Sequence, residues 1–269
     1  MKTNTKYKLL MWGIVIGGAG IATLLFLLVF GPLIPNGFSF LIYAAMVFGA
    51  VFLMLHVGKV YSRHITKRIN DILDEECDPE KYLAAARDLW GKSEGSGRIS
   101  YQLYLVNGLI FNGQYQEAKD ILETVTKFPD SPYGKQLKAG YLYGLFNIAM
   151  LQEEAEKVEA YFKEYVRSLD EIKYENERNR QAYERSVLMG RTALNVKEGI
   201  YDDAEETYLR CFKEADKKLT RIESRYGLGK IYLHFKRYDE AKDAFNYVIE
   251  NGNKLHAVTL AKEQLAKIG

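Results

Sequence analysis

Residues able to do covalent or metal chemistry are few and scattered in this chain. The four histidines, His56, His64, His234 and His256, show no HxxxH spacing and no acidic partner in a recognisable motif. Neither a zinc site nor a nucleophile–base triad has a footing there. Cys77 and Cys211 are 134 residues apart without a CxxC companion, and they read as reduced, small apolar side chains of a cytosolic domain. Gly91-Lys92-Ser93 invites comparison with a phosphate-binding loop. The first glycine of GxxxxGK[ST] would fall at Ala86, inside a predicted helix with no strand before it. The strand, open backbone nest and helix start that cradle a phosphate are therefore missing. The acidic pairs Glu153-Glu154, Asp202-Asp203 and Glu205-Glu206 fit the solvated face of a helix. No enzyme activity, no cofactor and no metal is expected.

What remains is the chemistry of recognition, and the elements that must present it fall into two parts. Residues 1–69 hold Lys2, Lys6, Lys8, Lys59, Arg63, Lys67 and Arg68 and no acidic residue, a charge of +7. The following 200 residues carry 30 basic and 35 acidic side chains, a charge of −5, which argues against a nucleic-acid partner.

Within the first part, Leu9 to Phe30 is an uncharged run of 22 residues and Phe38 to Val57 another of 20. Each is long enough to cross a hydrocarbon core of about 30 Å as a helix. The breaker-rich Gly31–Gly37 connects them. Lysines precede the first run, basic residues follow the second, and the connection has none, so both ends are expected in the cytoplasm of a two-span cell-membrane protein. A cleaved signal peptide fits less well, because the apolar run is long and a second span follows at once. Gly13/Gly17 and Ala45/Gly49 are small-xxx-small pairs, suited to packing inside the hairpin or to homo-oligomer formation through it. Residues 9–57 thus have the lipid bilayer as partner.

After Val57 the pattern stays helical. Ile65, Ile69, Ile72 and Leu73 continue the second span as a stalk, and 59–97 is read as stalk plus first helix pair. Asp78-Pro79 is an N-cap followed by proline in the first turn. Tyr82, Leu83, Ala86 and Leu89 form the stripe of a helix that ends in the glycine-rich loop Gly91–Gly97. From 98 to 253 a unit recurs: Ala118, Ala155, Ala204 and Ala241 are spaced by 37, 49 and 37 residues, the period of a helical solenoid. Asp170–Arg180 reads as a loop or as an exposed helical extension, and 254–269 as a capping helix.

These units carry a family resemblance. Leu228-Gly229-x-x-Tyr232 with Tyr238-x-x-Ala241-x-x-x-Phe245 resembles a tetratricopeptide repeat. Gly113-x-Tyr115-x-x-Ala118 and Gly199-x-Tyr201-x-x-Ala204-x-x-x-Tyr208 resemble two more. The unit around Ala155 has Met150 and Gln152 in place of glycine and aromatic, and the last has Lys236 in place of glycine. The resemblance implies an all-α solenoid of antiparallel helix pairs in which these residues pack the repeats. It also implies an inner groove lined by the first helix of each pair, here Leu103, Asn107, Phe111, Asn147, Met189, Tyr226, Lys230 and His234, with Gly140 and Gly144 beside them. Asn107 matches one position of a carboxylate clamp, but Leu103 stands where its lysine would be. The expected function is a membrane-anchored scaffold whose cytoplasmic repeats bind a peptide or protein partner. A self-associating structural membrane protein is the alternative, and an enzyme with an unrecognised site a more distant one.

Overall fold

The computed structural model describes residues 36–152, 154–174 and 176–268, and every regular element among them is an α-helix. They are α1 Asn36–Asp74, α2 Pro79–Trp90, α3 Gly95–Phe111, α4 Tyr115–Glu123, α5 Pro132–Leu151, α6 Ala155–Leu169, α7 Glu177–Lys197, α8 Ala204–Glu214, α9 Lys218–His234, α10 Tyr238–Asn251 and α11 His256–Ala266. The first span Leu9–Phe30, its connection through Pro35, and the pair Gly13/Gly17 lie outside the described residues. The chain divides into two compact units, Met1–Arg68 and Ile69–Gly269.

In the first unit the large apolar side chains of α1 from Val47 to Val57 are mostly exposed. Phe48 is 75% and Phe52 73% exposed, and Leu53 and Leu55 are exposed as well. Over Ala45–Asp74 this helix is long and apolar enough to cross a membrane.

The second unit is built of antiparallel helix pairs, α3/α4, α5/α6, α7/α8 and α9/α10, with α2 packed on α3 and α11 on α10. Local chemistry sets the helix starts. Asp78 accepts the N–H of Lys81 at 2.9 Å ahead of Pro79, and Ser131 that of Gly134 at 3.1 Å ahead of Pro132. Asn176 accepts from Asn179 at 2.9 Å, so α6 ends at Leu169 and α7 begins at Glu177. The stretch left open between loop and helix is a short connection followed by the first turn of α7. The glycine-rich loop is likewise shorter than its composition predicts, because α3 already begins at Gly95.

One turn geometry joins the two helices of all four pairs. The N–H groups of Gln114, Glu154, Ile200 and Arg237 donate to the carbonyls of Leu109, Ala149, Asn195 and Tyr232, each five residues back, at 2.8–3.1 Å. In three of the four, the residue just before the donor is left-handed. Gly113 (φ 79°) and Gly199 (φ 82°) supply this conformation freely, whereas Lys236 adopts φ 58° with a side chain attached, at a cost of about 1 kcal/mol.

Successive pairs are locked by glycines on the first helices. Tyr82 and Leu83 of α2 lie over Gly108, Leu122 over Gly144, Phe162 over Gly190 and Tyr208 over Gly227. A β-carbon at these glycines would stand 2.8, 3.3, 2.8 and 2.5 Å from those side chains. Gly144 is thus buried rather than groove-facing. Ala118, Ala204, Ala241 and Phe245 are buried between the helices of their pairs, and Phe245 covers Gly229. Tyr232 is buried, Tyr115 and Tyr201 are half-buried, and Tyr238 and Gly199 are exposed. Ala155 begins α6, but its side chain is outside the description.

The far ends of this unit meet. Ile69, Leu73 and Cys77 are buried. The N–H of Lys254 donates to the Cys77 carbonyl at 3.3 Å, and the Asn253 amide donates to the Glu76 carbonyl at 2.8 Å. The Lys254 ammonium lies 3.1 Å from Asp78 and 2.9 Å from Glu80. His256 packs on Gly113, with its ring 5.9 Å from that of Tyr115. Burial pushes the Cys77 thiol up to about 11, which keeps it protonated and inert.

Two substitutions test this packing in the detergent-solubilised full chain, read by denaturant titration of helical circular dichroism. Gly227→Ala drives a methyl into the buried Tyr208 ring and should cost about 1–3 kcal/mol. Lys236→Gly should stabilise by about 0.5–1 kcal/mol through relief of the left-handed turn.

Candidate partner-binding face

Small residues on facing helices leave room that larger ones would fill. Gly140 on α5 and Ala182 on α7 open a pocket of about 210 Å³, lined also by Tyr143, Tyr165, Tyr183 and Ser186. Three of the six lining residues are tyrosines. The Tyr143 and Tyr165 rings are 5.0 Å apart, Tyr183 lies 5.6 Å from Tyr174, and the Tyr165 hydroxyl bonds the Ser186 hydroxyl at 2.6 Å. The lining is largely apolar, which suits one large side chain of a partner. A second pocket of about 440 Å³ between α7 and α8 mixes Arg191 and Arg210 with Asp202, Asp203 and Glu206, so it has no single sign to offer a ligand.

The residues assigned to a groove fall into small groups. Leu103 is half-buried, 3.3 Å from where a β-carbon on Gly140 would be. Asn107, Phe111, Asn147 and Met189 are half-buried. Tyr226 and Lys230 come together, with the ammonium 5.9 Å from the ring centroid, a cation–π approach. Burial pushes the Tyr226 phenol up to about 12 and lowers the Lys230 ammonium, although the end of Lys230 reaches solvent. His234 is exposed but stacked on Tyr201, with centroids 4.0 Å apart.

Sequence reasoning missed Glu223. On α9 its carboxyl is pushed up to about 7, first by burial and then by the Asp74 carboxylate, with Lys217 opposing. Asp74 itself pairs with Lys217 at 2.7 Å. Burial and the charge of Glu223 together raise the phenols of Tyr143 on α5 and Tyr208 on α8. Among the described residues no three His, Cys, Asp or Glu are grouped to hold a metal ion.

Residues 223–251, the greater part of α9 with α10, match the tetratricopeptide-repeat family model. No curated protein and no solved structure matches the chain.

Glu223 makes stability pH-dependent in a defined direction. Its native pKa of about 7 exceeds the unfolded value of 4.5, so the native state binds the extra proton between these pH values. Stability should fall as pH rises through that window, and the loss is complete above it. Glu223→Gln should then exceed the wild type by about 2–3 kcal/mol at pH 8 and match it near pH 4, as measured by urea titration at both pH values.

Proposed function

We propose, with the tetratricopeptide repeat at residues 223–251 as premise, that this chain is a membrane-anchored scaffold that binds a peptide or protein partner on the inner face of its repeats. The anchor is a hairpin of two spans, 9–30 and 38–57, with both termini and the repeats in the cytoplasm. The bare apolar surface of α1 and the basic flanks Lys2, Lys6, Lys8, Lys59, Arg63, Lys67 and Arg68 support that arrangement.

The observation that carries the recognition reading is the tyrosine-walled pocket between α5 and α7. A helix-pair framework holds it open, so a partner side chain enters without a large ordering cost. Asn107 and Asn147 offer amides to an extended backbone. Lys230 and His234 offer polar contacts further along, and Leu103, Phe111, Met189 and Tyr226 add apolar area. Tethering at a bilayer raises the effective concentration of the partner there, which suits assembly of a membrane-associated complex.

Crosslinking with mass spectrometry in native membranes identifies the partner, and two variants test the site. Ala182→Trp fills the pocket from an exposed helical position, and Asn107→Ala removes one amide. Capture should drop about tenfold for the first and several-fold for the second, with helical circular dichroism unchanged. Full capture by both would move the binding face elsewhere.

A further inference from the structure

We infer that the part of α1 just beyond its apolar stretch binds the phosphate groups of anionic membrane lipids; the inference rests on the reading of α1 as a membrane span. Lys59, Arg63, His64, Lys67 and Arg68 are all exposed on this one continuous helix. No acidic residue precedes Asp71 anywhere in α1. At 100° per residue, Lys59, Arg63 and Lys67 fall within about 80° of one another and form one strip, with His64 at its flank and Arg68 about 180° from Lys59. Three of the four basic side chains therefore share one strip.

Depth assigns the partner. The uncharged run ends at Val57. A helix rise of about 1.5 Å per residue puts Lys59 about 3 Å and Arg63 about 9 Å past that point. The headgroup layer occupies roughly the first 5–8 Å beyond the hydrocarbon. Lys59 can lay its methylene stem along the apolar boundary and put its ammonium among the phosphates. Arg63, one turn on and on the same strip, presents a planar fork that grips two phosphate oxygens. Lys67 and Arg68 lie about 15–17 Å out, beyond direct contact and near the limit of screened attraction to the surface, roughly one Debye length of 8 Å past the headgroups. Lys59, Arg63, Lys67 and Arg68 give residues 45–70 of α1 a net positive charge, which favours a lipid of net negative charge over a zwitterionic one.

The test places the full chain in nanodiscs of phosphatidylcholine with a minority of phosphatidylglycerol and measures retention of each spin-labelled lipid at the protein surface. Wild type should favour phosphatidylglycerol several-fold, less so at high salt. Lys59→Gln with Arg63→Gln should bring the ratio close to one, and Lys67→Gln with Arg68→Gln should retain most of it. Equal retention of both lipids by the wild type, or no change in the Lys59/Arg63 variant, would overturn the headgroup site alone. So would displacement of the labelled lipid by millimolar glycerol phosphate, which would mark a site for a soluble phosphate. A chain that fails to enter the discs would remove the anchor as well as this site.

Discussion

Two helices approach most closely where one of them offers bare backbone or a small side chain, and successive pairs meet at glycines of this kind. In the last three pairs the glycine stands five residues before the carbonyl that closes the turn: Gly144 before Ala149, Gly190 before Asn195 and Gly227 before Tyr232. The side chain received there, Leu122, Phe162 or Tyr208, belongs to the preceding pair. The same few residues therefore define where a pair turns and where the next pair docks. Each large side chain buried in this way contributes about 1.5–3 kcal/mol. In the first pair the corresponding residue is Tyr104, whose ring meets that of Tyr82 edge-on at 6.2 Å, and Gly108, one turn further along, takes over the contact.

This arrangement explains which parts of the fold were legible in the sequence. Helices and their pairing follow from short-range periodicity, and Ala118, Ala204 and Ala241 mark the close crossings inside each pair because a small residue has no other use amid leucines and aromatics. Gly144 was harder to place. A glycine on a first helix reads equally well as a groove position or as a seam, and only Leu122 and Val106 closing over it decide between them. Asp170–Arg180 is similar, because its charges suit loop and helix alike. The deciding signal is local but small: Asn176 caps the backbone N–H three residues on.

The candidate site was less legible, for a reason of distance. The character of Glu223 comes first from burial and then from Asp74, which lies 149 residues earlier. Seen along the chain it is one more carboxylate on a charged helix. The tyrosine pocket is likewise a property of three helices, since Tyr143, Tyr165 and Tyr183 come from α5, α6 and α7. Neither feature has a spacing that a linear reading could detect. Tyr226 and Lys230 form the opposite case, because four residues of one helix suffice to bring ring and ammonium together.

An array of helix pairs usually unfolds as a series of neighbours, since each repeat touches only the next. Here the last connection reaches back to the first, through Asn253 to Glu76 and Lys254 to Cys77, Asp78 and Glu80. Asn253 holds a left-handed φ of 48° while making its bond. The exposed ion pairs of Lys254 add little. The two hydrogen bonds contribute about 0.5–1.5 kcal/mol each, a noticeable share of the roughly 5–15 kcal/mol typical of a folded domain. Opening either end must break this clasp, so fraying of the terminal repeats is coupled in a way that a linear stack would not allow. The last turns of α1 take part in this clasp, and with Asp74 paired to Lys217 they are held as part of the repeat unit. Residues Ile69–Cys77 therefore have a stabilising role distinct from that of a passive linker.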